Sequence, residues 1–302
     1  MSVPVCADCF KGTLRGDVIP TGHEHVIHGL PTYIATPEPW VKPLGTTLRN
    51  TRALADSYAK RVPCIVYVPD FMDGKSISLS LMASFGSKPD PNSPWLIRIL
   101  VRSWNIIKAV PVVLLFLYRT RPSVAWPRVR SFISAVRTTP TADGEPPKVG
   151  VAGFCWGGLY AVGLTNTQNP ENWATLAGER KVPLIDCAFT AHPSMLKLPR
   201  HIHEVQLPLS LANGEDDSFM GREKMKEVMR ILEDKNRMSA REMEGANMPD
   251  AHEVVVYPGA KHGFAVRGDR EDPLQKERGD QSEDQAVRWF SKWFGRNVAK
   301  EV

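Results

Sequence analysis

Short apolar segments alternate with amphipathic helical segments along most of this chain, and that alternation limits the fold more than any other feature. Five β-rich runs end in turn residues, and helical patterns lie between them. Such alternation is typical of a mostly parallel sheet with helices on both faces, so we expect an α/β fold. The five runs are VPCIVYVPD at 62–70, KVGVAGF at 148–154, LIDCAFT at 184–190, LPLSLANG at 207–214 and HEVVVYPG at 252–259.

Helical periodicity predicts helices over 50–61, 126–139, 221–235 and 282–294. The last pattern is the clearest, because its aromatic residues recur at helical spacing. Its start is predicted at Ser282, which with Gln285 matches the capping-box pattern, so that residues 277–284 lead into the helix.

The composition indicates a globular protein, and we expect residues 1–302 to form a single domain. Hydrophobic residues make up 42% of the chain, which is enough for a substantial core. Lysine and arginine number 38 against 33 acidic residues, giving a net charge of +5 without a basic stripe, so a nucleic-acid partner is not expected.

The five cysteines and the N-terminus predict reduced thiols and a cytoplasmic location. The start MSVPVCADCF has no basic segment followed by a long apolar stretch, as a secretory signal would. Cys6 and Cys9 have CxxC spacing, but zinc needs four ligands and no second CxxC follows. A loop accounts for this pair better than a metal site.

Residues 71–125 interrupt the alternation and are predicted to form an inserted helical cap. A polar loop is followed by PWLIRILVRSWNIIKAVPVVLLFLYRTR. Its continuous apolar run, from Ala109 to Tyr118, is far shorter than the ~20 residues that span a bilayer, so no transmembrane segment is expected. A lid over the active site, ordinary core packing, and a surface for a partner or a membrane are the three interpretations.

The stretch GVAGFCWGGLY at 150–160 places Cys155 between an apolar strand and a helical pattern. A strand, a sharp turn and a helix are the context of a nucleophile elbow, here with sulfur in place of the serine oxygen. Gly153 and Gly157 are expected to flank the turn because a Cβ at either position would crowd a neighbouring element. The helix N-terminus favours a thiolate, so Cys155 is a candidate nucleophile.

A thiol nucleophile needs a base and an orienting acid, and later strand ends supply both. His262 lies in the loop after the run at 252–259, and Asp216 follows the run at 207–214. The chain order nucleophile, acid, histidine is that of α/β-hydrolases. Asp217 is an alternative acid, although Asp216 has the more favourable position in the turn.

With these motifs the sequence resembles the dienelactone hydrolase family, and in particular its fungal branch. The resemblance rests on GFCWGG at the elbow, VYVPDFMDG at 66–74, the GEDD turn at 214–217 and AKHGFAVRGD at 260–269. It implies an α/β-hydrolase fold and no cofactor, and the residues themselves indicate no metal site. It also implies a small ester or lactone as substrate and a triad of Cys155, Asp216 and His262.

The resemblance extends to the groups that hold the substrate. It assigns the backbone N–H of Trp156 to the oxyanion and matches Arg267, with an offset of one residue, to an arginine that binds the substrate carboxylate in bacterial members. A second such arginine has no counterpart, because Met72, Asp73 and Gly74 stand at its place. The substrate that gives the family its name is therefore not assigned to this chain.

Relatives of this kind usually carry an apolar strand and a glycine-containing loop before the first long helix, and that loop supplies a second oxyanion donor. Here TYIATP at 32–37 leads through EPWVKPLGTT to the helical pattern near Asn50 without an apolar run. One sheet strand is therefore predicted to be missing. Either VKPLG replaces it, or the activity is reduced compared with longer relatives.

Two other interpretations remain open. The cluster GHEHVIH contains His23, Glu24, His25 and His28, but no HExxH helix is present, and exposed polar residues explain the cluster better than a metal site. The alternative to an enzyme is a non-catalytic relative that uses residues 95–118 as a binding or membrane-surface module.

Overall fold

The protein contains nine strands and seven α-helices within the residues that its computed structural model describes, which are 19–37, 49–74, 94–142, 144–242, 251–266 and 272–295. Numbered in chain order, the strands are β1 (His23–Ile27), β2 (Leu30–Ala35), β3 (Val66–Pro69), β4 (Gly150–Phe154), β5 (Trp173–Thr175), β6 (Lys181–Pro183), β7 (Cys187–Ala191), β8 (Leu209–Asp216) and β9 (His252–Lys261). The helices are α1 (Arg49–Arg61), α2 (Trp95–Arg119), α3 (Pro122–Thr138), α4 (Trp156–Leu164), α5 (Arg200–His203), α6 (Arg222–Glu242) and α7 (Pro273–Phe294).

Four of the strands form a parallel sheet in the order β4-β7-β8-β9. Helices separate these strands in sequence, because parallel neighbours need a crossover connection. The predicted α/β class is confirmed, and all five predicted runs contain a strand. The carboxyl ends of the four strands lie at one edge of the sheet, where ligand sites form in open α/β sheets.

Helices cover both faces of this sheet, and the side chains of its strands alternate between them. On β7, Ala188 packs in one core cluster while Cys187 and Phe189 pack in the other. Residues of α3, α4 and α6 belong to the first cluster, and residues of α1 and α7 belong to the second. Every residue of β7 is buried, as expected for a central strand between two helical layers.

Strands β1, β2 and β3 form a separate antiparallel sheet in the order β1-β2-β3, and β5 pairs with β6 in a third sheet of two short strands. Helix α1 packs on the sheet of β1, β2 and β3, where Ala55 lies beside Tyr33, and on helix α7 of the parallel sheet's second layer, where Tyr58 lies beside Phe290. Phe132 of α3 lies against Tyr67 of β3, with ring centroids 6.2 Å apart. Helices of both layers therefore join this sheet to the parallel sheet.

The strand that leads to Cys155 lies at an edge of the sheet formed by the described residues. Among the described residues β4 pairs with β7 on one side and with no strand on the other, and Ala152 in its middle is exposed. Strand β3 is likewise the last strand of its own sheet. The stretch in which a strand was predicted to be missing, after residue 37, falls largely on residues 38–48, which lie outside the described residues.

The last helix starts earlier than the sequence predicted. It begins at Pro273, and the side chain of Asp272 caps it by accepting a hydrogen bond from the Gln275 N–H. Ser282 and Gln285 are buried inside the helix and form no cap. Instead, the Gln285 side chain accepts a hydrogen bond from Tyr257 and donates one to Ser210. The capping-box interpretation was therefore wrong.

The inserted segment contains one long helix, α2, with large apolar side chains exposed to solvent. Nothing in the part of the chain that the structure describes forms a helix long and apolar enough to cross a bilayer. Residues 75–93 lie outside the described residues, as do Cys6 and Cys9. The adjoining α3 packs Val129, Phe132 and Ile133 into the core, so the regular fold resumes at Pro122.

Candidate active site

Cys155 occupies a sharp turn between β4 and α4. Its φ of 49° and ψ of −111° are rare for a residue with a side chain, and strain of this kind persists only where the surroundings hold it. The Cys155 carbonyl accepts hydrogen bonds from the N–H groups of Gly158 and Ser194, both at 3.0 Å. The Cys155 N–H donates to the Ala191 carbonyl at 3.3 Å. The nucleophile-elbow geometry predicted for this stretch is present.

Two glycines allow β4 and α4 to approach each other and the neighbouring loop. A Cβ on Gly153 would lie 2.4 Å from the Gly157 carbonyl oxygen, and one on Gly158 would lie 2.5 Å from Cβ of Pro193. Gly157 differs, because a Cβ there meets nothing within 4 Å. The steric prediction is correct for Gly153 and wrong for Gly157, and Gly158 supplies the second close contact.

His262 and Asp217 form a buried pair at the carboxyl ends of β9 and β8. Nδ1 of His262 and Oδ2 of Asp217 are 2.8 Å apart, and neither side chain is exposed. The other carboxylate oxygen of Asp217 accepts hydrogen bonds from the N–H groups of Phe219 and Met220, at 2.7 and 3.1 Å. Both carboxylate oxygens of Asp217 are thus engaged, which fixes the carboxylate against the imidazole ring.

Asp216, the acid that the sequence favoured, does not lie against His262. It is the last residue of β8, it is exposed, and the pairing of β8 with β9 shifts register between Gly214 and Asp216. Such an irregularity changes which side chains face which side of a strand, so position in the turn does not by itself show which of the two acids meets the histidine. The structure therefore replaces Asp216 by the alternative Asp217 as the partner of His262.

The charge state of His262 follows from its two neighbours. Burial lowers the pKa of the imidazole, but the hydrogen bond to Asp217 and the nearby Cys155 sulfur outweigh burial and raise the pKa of His262 to about 10. Nε2, on the far side of the ring from Asp217, is buried. An imidazolium beside Cys155 favours the thiolate form of the sulfur.

Ser194 is a neighbour of the sulfur that the sequence reasoning missed. Its Oγ lies 3.7 Å from Sγ of Cys155, and its N–H holds the Cys155 carbonyl. It belongs to the turn after β7, in which His192 and Met195 have positive φ angles of 40° and 64°. The sequence contains a signal for Ser194. The turn that holds it follows a predicted parallel strand, and the carboxyl ends of such strands lie at the same edge of the sheet as Cys155.

Of the two remaining predicted site residues, the structure describes Trp156 and not Arg267. Trp156 is the first residue of α4, so its backbone N–H is among the groups at a helix start that have no partner within the helix. Its indole ring packs against Tyr160, with centroids 4.4 Å apart. Arg267 lies outside the described residues. Among the described residues, no three histidine, cysteine or acidic side chains converge in a way that could hold a metal ion.

Comparison with known proteins identifies a family for most of this architecture. The sequence model of the dienelactone hydrolase family matches residues 122–294, which is more than half of the chain. Two curated fungal proteins are similar over shorter stretches. Hydrolase pyvD of Aspergillus violaceofuscus is 25% identical over 147 residues, covering 49% of this chain and 48% of that protein. Hydrolase tropI of Talaromyces stipitatus is 28% identical over 153 residues, covering 49% and 46%.

One solved structure is similar over most of this chain. A thermophilic esterase from the Planctomycetes species Thermogutta terrifontis, solved with propionate bound, matches with a TM-score of 0.54 and 14% identity. The match covers 94% of this chain and 98% of that chain. At this identity the match shows the fold alone.

The chain spans about half the length of the curated relatives it matches.

Proposed function

The chain belongs to the dienelactone hydrolase family, and from that premise we propose that it hydrolyses small esters or lactones with Cys155 as the nucleophile. In this proposal His262 transfers the proton and Asp217 orients the imidazole. The observation that carries the proposal is the hydrogen-bonded pair of Asp217 and His262, whose imidazole pKa is raised in part by the Cys155 sulfur at the elbow. Nucleophile, base and orienting acid are the three parts that such chemistry needs.

The proposed reaction starts from a Cys155 thiolate beside a His262 imidazolium. The sulfur attacks the ester carbonyl carbon, a C–S bond forms, and the carbonyl π electrons move to the oxygen. The tetrahedral intermediate then expels the alcohol, which takes the proton from Nε2 of His262 and leaves a thioester on the sulfur. Water next attacks the thioester and gives a proton to Nε2. The C–S bond breaks, which releases the carboxylic acid and restores the thiolate.

The backbone N–H of Trp156 is proposed to hold the oxygen that becomes negative during both steps. It starts helix α4, so the positive end of the helix dipole adds to the stabilisation. Ser194 is placed to donate a hydrogen bond to the thiolate. The hydroxyl and the imidazolium together stabilise the charged nucleophile before substrate arrives.

We propose a lower activity than that of family members with two oxyanion donors. Losing one such donor typically costs on the order of 10² to 10³ in rate. The exposed Ala152 and the absence of a pairing strand beside β4, among the described residues, support this proposal. No described residue pairs as a strand with the backbone of β4 on that side, and the nucleophile turn follows directly from β4.

The proposed substrate class is neutral rather than anionic. Only Arg267 matches a carboxylate-binding arginine of the family, and Met72, Asp73 and Gly74 occupy the place of the other. The Arg128 guanidinium nearby lies 3.8 Å from the Asp73 carboxylate, so this cation is already paired within the protein. A small uncharged ester meets no electrostatic penalty at this position.

The test compares the variants Cys155→Ala and Cys64→Ala in turnover of p-nitrophenyl acetate. Both thiols are partly exposed, so the second variant controls for loss of a thiol in general. We expect Cys155→Ala to reduce turnover to the uncatalysed rate and Cys64→Ala to retain it. Equal activity in the two variants would refute Cys155 as the nucleophile.

Alkylation by iodoacetamide distinguishes the proposal from a non-catalytic role. We expect Cys155 to be labelled at pH values well below the ~8.5 at which an ordinary thiol ionises. Cys187 serves as an internal control, because burial raises the pKa of its thiol and the residue is inaccessible. Labelling of Cys155 only at alkaline pH would favour a non-catalytic protein. The exposed apolar residues of α2 would then form its binding surface.

A further inference from the structure

We propose that helix α2 is an interfacial helix that binds the surface of membranes containing anionic lipid. The proposal does not depend on the hydrolase activity, because it rests on residues outside the site around Cys155. It starts from a feature that the fold leaves unexplained. Ten large apolar side chains of α2 are between 44% and 67% exposed: Trp95, Leu96, Ile99, Leu100, Trp104, Ile107, Val110, Leu114, Leu115 and Tyr118.

The exposed side chains form one continuous face. At 100° per residue, the ten positions fall within an arc of about 200° around the helix axis. The helix has 25 residues, and at 1.5 Å per residue it is about 37 Å long. An apolar face of this length and width is far larger than the scattered surface residues normal for a globular protein, and it marks an interaction site.

The positive charge of residues 94–121 indicates that the partner surface is negatively charged. Residues 94–121 contain five cations, Arg98, Arg102, Lys108, Arg119 and Arg121, and no acidic residue. The chain as a whole is nearly balanced, with 38 basic and 33 acidic residues. An apolar helix with only positive charges is complementary to a surface that is apolar inside and negative outside, which describes a bilayer with anionic headgroups.

The aromatic residues of the face fit the same surface. Trp95, Trp104 and Tyr118 lie along it, and tryptophan and tyrosine are the residues enriched at membrane–water interfaces. The Arg121 guanidinium lies over the Tyr118 ring, 4.3 Å from its centroid, so a cation adjoins the apolar face at its C-terminal end. Since α2 is not apolar enough to span a bilayer, the helix would lie along the surface.

A second copy of the chain fits the face less well. Two helices that pair in a coiled coil use a narrow seam of two positions per heptad, whereas this apolar face covers about half of the circumference. Pairing would also bring two segments of five cations together without an acid to compensate. A lipid surface accommodates the width of the face and neutralises the charge.

The experiment is cosedimentation of the full chain with vesicles of phosphatidylcholine alone and of phosphatidylcholine with phosphatidylserine at about 2:1. We expect binding to the mixed vesicles that weakens at raised salt, and much weaker binding to phosphatidylcholine. Leu100→Glu combined with Leu114→Glu should abolish binding while leaving the circular dichroism spectrum unchanged, because both side chains are already exposed. Met238→Glu is the matched control, since Met238 is an exposed apolar residue of another helix.

A second variant tests the charges while keeping all ten apolar side chains of the face. Arg119→Gln combined with Arg121→Gln should lower the affinity for mixed vesicles about 30-fold, because each cation near an anionic surface contributes about fivefold. Three results would overturn the proposal. They are a failure of the native chain to bind mixed vesicles, equal binding by the Leu100→Glu/Leu114→Glu variant, and a dimer in light scattering that this variant dissociates.

Discussion

Asp217 holds His262 through Oδ2, 2.8 Å from Nδ1, while its Oδ1 accepts hydrogen bonds from two backbone N–H groups. The carboxylate is therefore fixed by the turn after β8, and the imidazole is fixed by the carboxylate. The adjacent Asp216 is exposed and makes no such contact. This difference between neighbouring residues turns the choice of the triad acid into a direct experiment.

Asp217→Asn should lower kcat/KM for small esters by about 10² to 10⁴, because an amide cannot stabilise the imidazolium and its NH₂ group favours the wrong tautomer. Asp216→Asn, the matched control, should stay within about threefold of the native enzyme because an exposed carboxylate loses little on neutralisation. Steady-state kinetics on purified variants measures both. The reverse order of effects would restore Asp216 as the acid.

The pair also predicts a pH dependence of stability. The pKa of His262 rises from 6.5 to about 10 in the folded protein, so the folded state binds the proton more tightly than the unfolded state. Its contribution to the free energy of unfolding, on the order of a few kcal/mol, is full below about pH 6.5 and disappears as the pH rises through about 10. Urea unfolding of native and Asp217→Asn protein should therefore show a difference that shrinks between these pH values. A difference that grows would contradict the assignment.

His252 should make the protein less stable at acid pH, whereas His262 acts at alkaline pH. Burial, and to a smaller extent Lys235, lowers the pKa of His252 to about 4. The unfolded state takes up a proton near pH 6.5 and the folded state does not, so stability is lost as the pH falls from about 6.5 to 4. His252→Gln should flatten the unfolding free energy over this range. An unchanged slope would show that other groups cause the acid sensitivity.

The elbow predicts which of two nearby glycines tolerates a methyl group. Gly153→Ala places a Cβ against backbone of α4 and should lower the free energy of unfolding by about 1–3 kcal/mol. Gly157→Ala meets open space and should leave stability within about 1 kcal/mol, since alanine is also the better helix former. Thermal unfolding distinguishes the two, and similar losses in both variants would contradict the close packing at Gly153.

The positions of Cys155 and His262 at the edge of the sheet could be predicted from the sequence, but the carboxylate that contacts His262 could not. Cys155 and His262 follow strands whose apolar runs are unambiguous, and parallel strands bring their carboxyl ends together. The choice of Asp216 depended on its position in the turn after β8, and the register shift between Gly214 and Asp216 is a property of strand pairing that no local pattern reveals.

Helix boundaries and exposure were harder to predict for tertiary reasons. Helix α7 begins at Pro273 because Asp272 caps it, whereas Ser282 and Gln285 lie buried in its middle. The periodicity of α2 indicates an apolar face, but only the structure shows that Leu100 and Leu114 on this face are exposed. A sequence pattern specifies which residues share a face, and packing decides whether that face is buried.

The most direct test of the account is to find the acyl group on the enzyme. The protein is mixed with p-nitrophenyl acetate, quenched in acid during turnover, digested and examined by mass spectrometry. We predict an acetyl group on the peptide that contains Cys155, absent in Cys155→Ala and longer-lived in Asp217→Asn. Sustained ester turnover with no acetyl group on Cys155, or with the group on another residue, would contradict the central claim.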